Sequence, residues 1–415
     1  MTVTVKKGPR KGNAIIPASK SQAHRAFICA ALSDKCSTIN CNLNSDDIIA
    51  TVSCLNALGA NIECKENNLF SVSPYKKSTG KKELFCNESG STLRFLLPVL
   101  GALNENAVIN MNGRLSERPI AVLTDLLIEN GMKITKTGNQ LFCSGSLKSG
   151  DYIIPGDISS QFISGLLFAL PLLSGDSRII VTNKTESSSY ITLTLNALKQ
   201  YGIIVKKRDN AFIIPGKQKY IAVKHQTIEG DWSSAAFFLG AGSLSNLGIT
   251  AKGLNINSCQ GDREIINILQ NFGADISFNK DGITSKKNRL YGQIIDASGV
   301  PDLVPVLSVI AAASFGETKI INAKRLRYKE SDRLYSTAKM LNDLGANVVE
   351  TDDGLCVFGK KMLIGGTVDP QNDHRIAMAA AVAASVCEND VTIMNAECVN
   401  KSFPDFWQVL NSLEV

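Results

Sequence analysis

The chain has 415 residues, 44% of them hydrophobic and 20% charged, with 44 basic against 38 acidic side chains and a formal net charge of +6. That length exceeds one ordinary core and points to about two domains. The mild charge, with no Lys/Arg block, argues against a nucleic-acid tail or a basic membrane-surface helix.

The opening "MTVTVKKGPRKG" lacks the apolar stretch of a signal peptide, and no span is expected across a membrane. The longest apolar runs, "ISGLLFALPLLSG" and "IAMAAAVAASVC", fall short of the roughly 18 residues a spanning helix needs and read as buried helices. Eleven cysteines without a CxxC, and only three histidines, argue against a zinc site or a disulfide framework. Reduced, buried thiols are expected.

The first helix follows "PASKSQAHRAF", where Lys20, His24 and Arg25 stand between serines and an apolar run. One reading is a capped helix with solvated cations. The other is an anion held by Lys20, Ser21 and Arg25, since Arg25 lies four residues after Ser21 on the same helix face. Next, "LNALGANIE" closes an amphipathic helix at a glycine and starts alternating apolar residues. The same device returns in "LIENGMKIT", "LKQYGIIVK", "LQNFGADIS" and "LNDLGANVV". Gly59, Gly131, Gly202, Gly273 and Gly345 recur every 71 or 72 residues, each suited to a left-handed helix cap before a strand. A sixth copy would fall at the chain end, after "PDFWQVLNSL". Six α/β modules of about 70 residues, three per domain, follow from that spacing.

Between these glycines, polar clusters open strongly apolar helices. They are "PASKSQAHR", "NESGSTLR", "GDISSQFIS", "EGDWSSAA" and "QNDHRIAMA". Their Ser, Asp and Asn residues suit N-caps, and helix N-termini attract anions. With Lys20, Arg25, Arg94 and Arg375 beside them, an anion pocket is expected. "NESGSTLR" is a phosphate-loop-like turn in which Gly90 admits close approach, although the chain has no GxxxxGK. In "GRLSERP", Arg114 and Arg118 are either a surface pair or a guanidinium fork. "VPDLVPVL" presents Asp302 as a helix cap or a buried base. "RLRYKESDR" places Lys329, Glu330 and Arg333 before an apolar helix, as a solvated face or as an acid/base group wedged between cations. "NDHRIAM" adds His374 and Arg375, and "KSFPDF" adds Lys401.

Taken in order from residue 17 to 407, these motifs resemble the 5-enolpyruvylshikimate-3-phosphate synthase family, above all "SKSQAHR", "KESDR" and "NDHR". The resemblance implies an α/β fold, a two-domain inside-out α/β barrel of six βαβαββ units, three per domain. It places residues 19–228 in a shikimate-3-phosphate-binding domain. Residues 1–18 and 229–415 form a second domain with much of the phosphoenolpyruvate site. It implies transfer of the enolpyruvyl group of phosphoenolpyruvate to the 5-hydroxyl of shikimate 3-phosphate with release of phosphate, in chorismate and aromatic amino acid biosynthesis. No cofactor, no metal, no nucleic acid and no membrane is implied, and the enzyme is expected as a cytoplasmic monomer.

By the same resemblance, shikimate 3-phosphate is held by Lys20, Ser21, Arg25, Ser159, Ser160, Gln161, Ser187, Tyr190, Asp302 and Lys329. Phosphoenolpyruvate is held by Lys20, Gly90, Arg114, Gln161, Arg333, Arg375 and Lys401. Asp302 is the expected base for the 5-hydroxyl and Glu330 the proton donor to C3, with Lys20 a rival for part of the proton traffic. His374 is expected to orient its neighbours. Glu88 and Arg325 depart from asparagines found in other members, and Phe95 is expected to alter a subsite wall and so inhibitor sensitivity. With ligands split between residues 20–190 and 302–401, closure around substrate is expected.

Two alternatives are open. A UDP-N-acetylglucosamine enolpyruvyl transferase would carry a Lys–Asn pair after the first strand and a reactive loop cysteine, where this chain has Lys20-Ser21. A non-catalytic phosphate-binding repeat protein would need a sustained basic face and would leave Asp302 and Glu330 without a role.

Overall fold

A computed structural model of the chain describes residues 1–183 and 188–415. It divides into two compact units, Ala18–Ile228 and Met1–Pro17 with Glu229–Val415.

In the unit Ala18–Ile228 the helices are α1 (Lys20–Ala31), α2 (Asp46–Leu58), α3 (Gly90–Leu103), α4 (Ala121–Glu129), α5 (Ser160–Ala169) and α6 (Ser188–Gln200). Three four-stranded sheets accompany them. In each, one strand runs parallel to its neighbour and that neighbour pairs antiparallel with a hairpin. Lys82–Asn87 lies parallel to Ala107–Met111, which pairs through Ile109 with Leu141 of the next strand. The first module borrows its parallel strand, His225–Thr227, from the end of the unit, where it pairs with Ser37–Asn40.

The alternation in Lys82–Asn87 turns Leu84 and Cys86 inward and leaves the other face wet, the pattern of a half-buried sheet. In α3 and α5 almost every residue is buried, so these helices lie inside and the sheets outside. The "ISGLLFALPLLSG" run is this inner helix α5 and the turn after it.

The other unit repeats the plan with α7 (Trp232–Ser243), α8 (Ile265–Phe272), α9 (Val304–Ala312), α10 (Arg333–Asp343), α11 (His374–Ala383) and α12 (Phe406–Asn411). Here α7, α9 and α11 are buried on all faces. Two sheets have four strands, one of them completed by Gly12–Ile15 lying parallel to Ile249–Lys252. The third has three: Gly366–Val368 is parallel to Val391–Ile393, and Val3–Val5 takes the antiparallel place of a hairpin strand. The sixth module therefore lacks its own hairpin, which is why its glycine has no counterpart. The five recurrent glycines all have positive φ, from +76° at Gly202 to +119° at Gly59.

Each unit has its own hydrophobic core. Among the described residues no helix is long and apolar enough to cross a membrane. The cysteines are not uniformly buried, since Cys36, just before the strand Ser37–Asn40, and Cys64, at the end of the strand Asn61–Cys64, are exposed.

Candidate active site

In the unit Ala18–Ile228 the inner helices bring their first turns together. Lys20 opens α1, and its Nζ lies 2.6 Å from Asp47 Oδ2 in the first turn of α2, with 16% and 8% of the two side chains exposed. One turn on, the Arg25 guanidinium is buried and spent on its own scaffold. Nε donates to Thr194 Oγ1 at 2.8 Å, Nη1 to the Ser21 carbonyl at 2.6 Å and Nη2 to the Tyr190 carbonyl at 2.9 Å. Its plane rests 5.1 Å from the centre of the Phe95 ring. Thr194 passes its own proton to Ser164 on α5 at 2.8 Å.

Ser89 caps α3 by accepting from the Thr92 amide, and Ser159 caps α5 by accepting from the Gln161 amide, both at 3.3 Å. Arg94 Nη1 donates to Gln161 Oε1, and Gln161 Nε2 to Ser91 Oγ, both at 2.9 Å, which ties the first turns of α3 and α5. The guanidiniums of Arg94 and Arg118 lie over Gly90. A Cβ there would stand 3.0 Å from Arg118 Nη1. Helix N-termini with cations beside them form an anion-attracting surface.

Arg114 and Arg118 do not act as one fork. Arg118 lies over Gly90, while Arg114 is half exposed with Nε 3.7 Å from Glu117. Glu88 packs against Gly113, where φ is +52° and any Cβ would strike the carboxylate. Phe95 is not a subsite wall. It is 1% exposed, in the core against Phe168 and His24 beneath Arg25. Ser21, Ser160 and Tyr190 lie at the same helix ends, with Ser160 buried and the other two half-buried. Ser187 lies outside the described residues.

In the other unit, Asp302 is not a helix cap. It sits inside a 3-10 turn, Pro301–Leu303, and the N-cap places of that turn and of α9 belong to Val300 and Leu303. Its Oδ1 accepts from Arg333 Nη1 at 2.8 Å with Lys329 Nζ 3.6 Å away, and its Oδ2 accepts from Arg375 Nη2 at 3.0 Å. Arg333 opens α10, is 1% exposed, and also donates to Glu330 Oε2 at 2.7 Å and through Nε to Asp373 Oδ2 at 3.0 Å. Asp373 caps α11 through the Arg375 amide at 2.9 Å, so one carboxylate fixes two guanidinium-bearing helix ends. Lys401 and His374 are buried in the same unit, and Arg325 Nη2 donates to the Ser298 carbonyl at 2.5 Å.

The electrostatics follow from that crowding. Burial would raise the Asp302 carboxyl, but Arg375, Lys329 and Arg333 outweigh it and hold the group well below the usual carboxylate range. Burial lowers Lys329 to about 8, with Arg333 and Arg325 adding to the effect and Asp302 and Glu330 opposing it. Arg333 stays charged, because Asp373, Glu330 and Asp302 more than offset its burial. Asp262 is a buried acid raised to about 7, first by burial and then by Asp302, with Ser233 donating to it. Fixed cations beside ionised and raised carboxyls suit anion binding coupled to proton transfer.

Asp47 and Asp262 escaped the sequence reading, as did the bond from Arg333 to the helix cap Asp373. Asp47 and Asp373 look like routine helix-start acids, and no local signal marks Asp262.

The fold is first of all that of an enolpyruvyl transferase. The structure of the enolpyruvyl transferase NikO from Streptomyces tendae superposes with a TM-score of 0.78 over 99% of this chain and 96% of that one, at 16% identity. Nearer in sequence is the 2.37 Å structure of EPSP synthase from Acinetobacter baumannii, with a TM-score of 0.82, 26% identity and coverage of 100% and 99%. The family described as EPSP synthase (3-phosphoshikimate 1-carboxyvinyltransferase) matches residues 5–410. A 3-phosphoshikimate 1-carboxyvinyltransferase from Clostridium acetobutylicum is 47% identical over 97% of this chain and 95% of its own length. The enzyme of the same name from Clostridium kluyveri is 46% identical, with the same two coverages. The chain belongs to the EPSP synthase family.

Proposed function

We infer that this chain transfers the enolpyruvyl group of phosphoenolpyruvate to the 5-hydroxyl of shikimate 3-phosphate. The 5-oxygen bonds to C2 while C3 takes a proton; the intermediate then loses a C3 proton as the C2–O bond to phosphate breaks. The observation that carries the reading is Asp302, ionised and shared by Arg333, Arg375 and Lys329, with Glu330 on the same guanidinium as a second carboxylate. Family membership supports it independently.

In this reading the unit Ala18–Ile228 holds much of shikimate 3-phosphate, through Lys20, Ser21, Arg25, Ser159, Ser160, Gln161, Ser187 and Tyr190, with Asp302 and Lys329 completing the set. Gly90, Arg114, Arg333, Arg375 and Lys401, with Lys20 and Gln161, hold phosphoenolpyruvate. Incoming phosphate and carboxylate groups compete with Asp302 for its cations. As those are drawn off, the carboxylate regains basicity toward the 5-hydroxyl. Glu330 delivers the proton to C3. The enzyme works as a cytoplasmic monomer on small anions, with no nucleic-acid partner.

The test is phosphate release from phosphoenolpyruvate with and without shikimate 3-phosphate, for wild type and Glu330→Gln. Release that depends on shikimate 3-phosphate and falls at least a hundredfold in the variant is expected, in line with the ~10²–10⁴-fold contribution of general acid–base catalysis. Release supported equally by UDP-N-acetylglucosamine, or none with either acceptor, would overturn the reading.

A further inference from the structure

Lys20 and Asp47 meet across α1 and α2, yet neither Ser19 nor Ser45 caps its helix through its side chain. One turn deeper on α1 is His24, and one turn deeper on α2 is Thr51; His24 Nδ1 lies 2.7 Å from Thr51 Oγ1. The two rungs have the same geometry, residue i on α1 facing residue i+27 on α2. Beyond Thr51 the chain of hydroxyls continues. Thr51 Oγ1 lies 2.6 Å from Thr92 Oγ1, and Thr92 Oγ1 donates to Ser89 Oγ at 2.7 Å.

The direction of these protons is fixed by elimination. Thr92 spends its one hydroxyl proton on Ser89, so the proton in the 2.6 Å contact is Thr51's, given there in preference to the Asp47 carbonyl 3.3 Å away. Thr51 is then the acceptor from the ring, and His24 must carry its proton on Nδ1. His24 Nε2 is left as a bare lone pair, buried with no hydrogen-bond partner among the described residues, in a ring 1% exposed and edge-on to Phe95 at 6.3 Å. A proton on Nε2 would put a third cation between Lys20 and Arg25 with no acceptor, at the full cost of a buried charge.

We propose that His24, as an Nδ1–H donor, is a positioning residue that sets the Lys20–Asp47 pair and the Ser89 cap of α3 through one polarised relay, His24–Thr51–Thr92–Ser89. The proposal rests on the function inferred above, in which Lys20 contacts substrate. His24 itself touches no substrate atom. Its effect is on where the Lys20 ammonium stands and on how the α3 start is presented.

Two experiments on the full-length enzyme test it. Nitrogen-15 NMR of the histidines, with the His24→Asn spectrum to assign the signal, is expected to show His24 as a neutral Nδ1–H tautomer unchanged from pH 8 to pH 5. An Nε2–H tautomer, or titration of His24 in that range, sinks the proposal without any assay of turnover. Steady-state kinetics then compare His24→Asn, whose amide offers a donor in the Nδ1 place, with His24→Leu. The leucine variant is expected to raise KM for shikimate 3-phosphate about tenfold or more, with kcat less affected, and the asparagine variant to stay within about threefold of wild type. Equal damage in both would mean that ring volume, not the donated proton, matters. An unchanged leucine variant would remove His24 from the mechanism. Absence of turnover in the wild type would instead be the failure of the functional reading, leaving the tautomer result to judge the relay alone.

Discussion

A histidine in water is half protonated near pH 6.5, but His24 is held neutral down to about 3, first by burial and then by Lys20 and Arg25 against the opposing pull of Asp47. The unfolded chain therefore takes a proton as pH falls through 6.5, and the folded chain does not until about 3. Stability present above pH 6.5 is lost across that window, at up to ~1.4 kcal/mol per pH unit from this one group. Urea midpoints measured from pH 7 to pH 4 should fall less steeply in His24→Asn than in wild type, and parallel curves would refute the assignment. Lys329 presents the opposite case on the alkaline side. Its ammonium, lowered to about 8, loses charge above that pH, so shikimate 3-phosphate affinity should decline as pH rises from 7.5 to 9. Lys329→Arg, which cannot be deprotonated there, should flatten that decline in a calorimetric titration. At this scale the cations were legible because they cluster at helix starts. Asp47 was not, because an acid in the first turn already satisfies the helix dipole and its real partner, Lys20, is 27 residues away.

At the scale of elements, the inner helices depend on backbones that approach closely. Gly165 of α5 faces the Arg94 carbonyl and Pro98 of α3, and an added Cβ would collide with that carbonyl. Gly165→Ala should destabilise the unit by about 1–3 kcal/mol, as overpacking does, and lower the melting temperature. A thermal melt unchanged within a degree would show that α3 and α5 can move apart at little cost. Helix starts and stops were readable ahead of the structure. Ser89, Ser159, Asp231 and Asp373 cap through their side chains as expected, and the five glycines take positive φ. Ser19 was the exception, since the start of α1 is held from α2 instead of by its own cap. For Asp302, cap and buried carboxylate look alike in "VPDLVPVL"; the 3-10 turn takes it out of the N-cap place, and its partners Arg333 and Arg375 arrive from far along the chain.

For the whole molecule the topology has an unequal consequence. The unit Ala18–Ile228 is one continuous segment that contains every strand of its three sheets, including His225–Thr227. Expressed alone, residues 18–228 should melt cooperatively with a dispersed NMR spectrum. Residues 229–415 alone lack Val3–Val5 and Gly12–Ile15 and leave two sheets one strand short, with open edges. That fragment should aggregate or remain unfolded until a peptide of residues 1–17 is supplied. Cooperative folding of 229–415 without the peptide would show those strands to be dispensable.

By itself the sequence determined the six-fold repeat, the places where helices begin and end, the inner helices and the anion-seeking character of their starts. Each of these is written in local periodicity, in cap and glycine chemistry and in charge placed beside a helix mouth. Only the tertiary structure decided which carboxylate faces which cation. Asp302 between Arg333, Arg375 and Lys329, Asp47 on Lys20, and the direction of the protons from His24 to Ser89 join residues far apart in the chain. Coulomb and hydrogen-bond energies depend on distances of a few ångströms in space, and those distances exist only once the modules have closed around their buried helices.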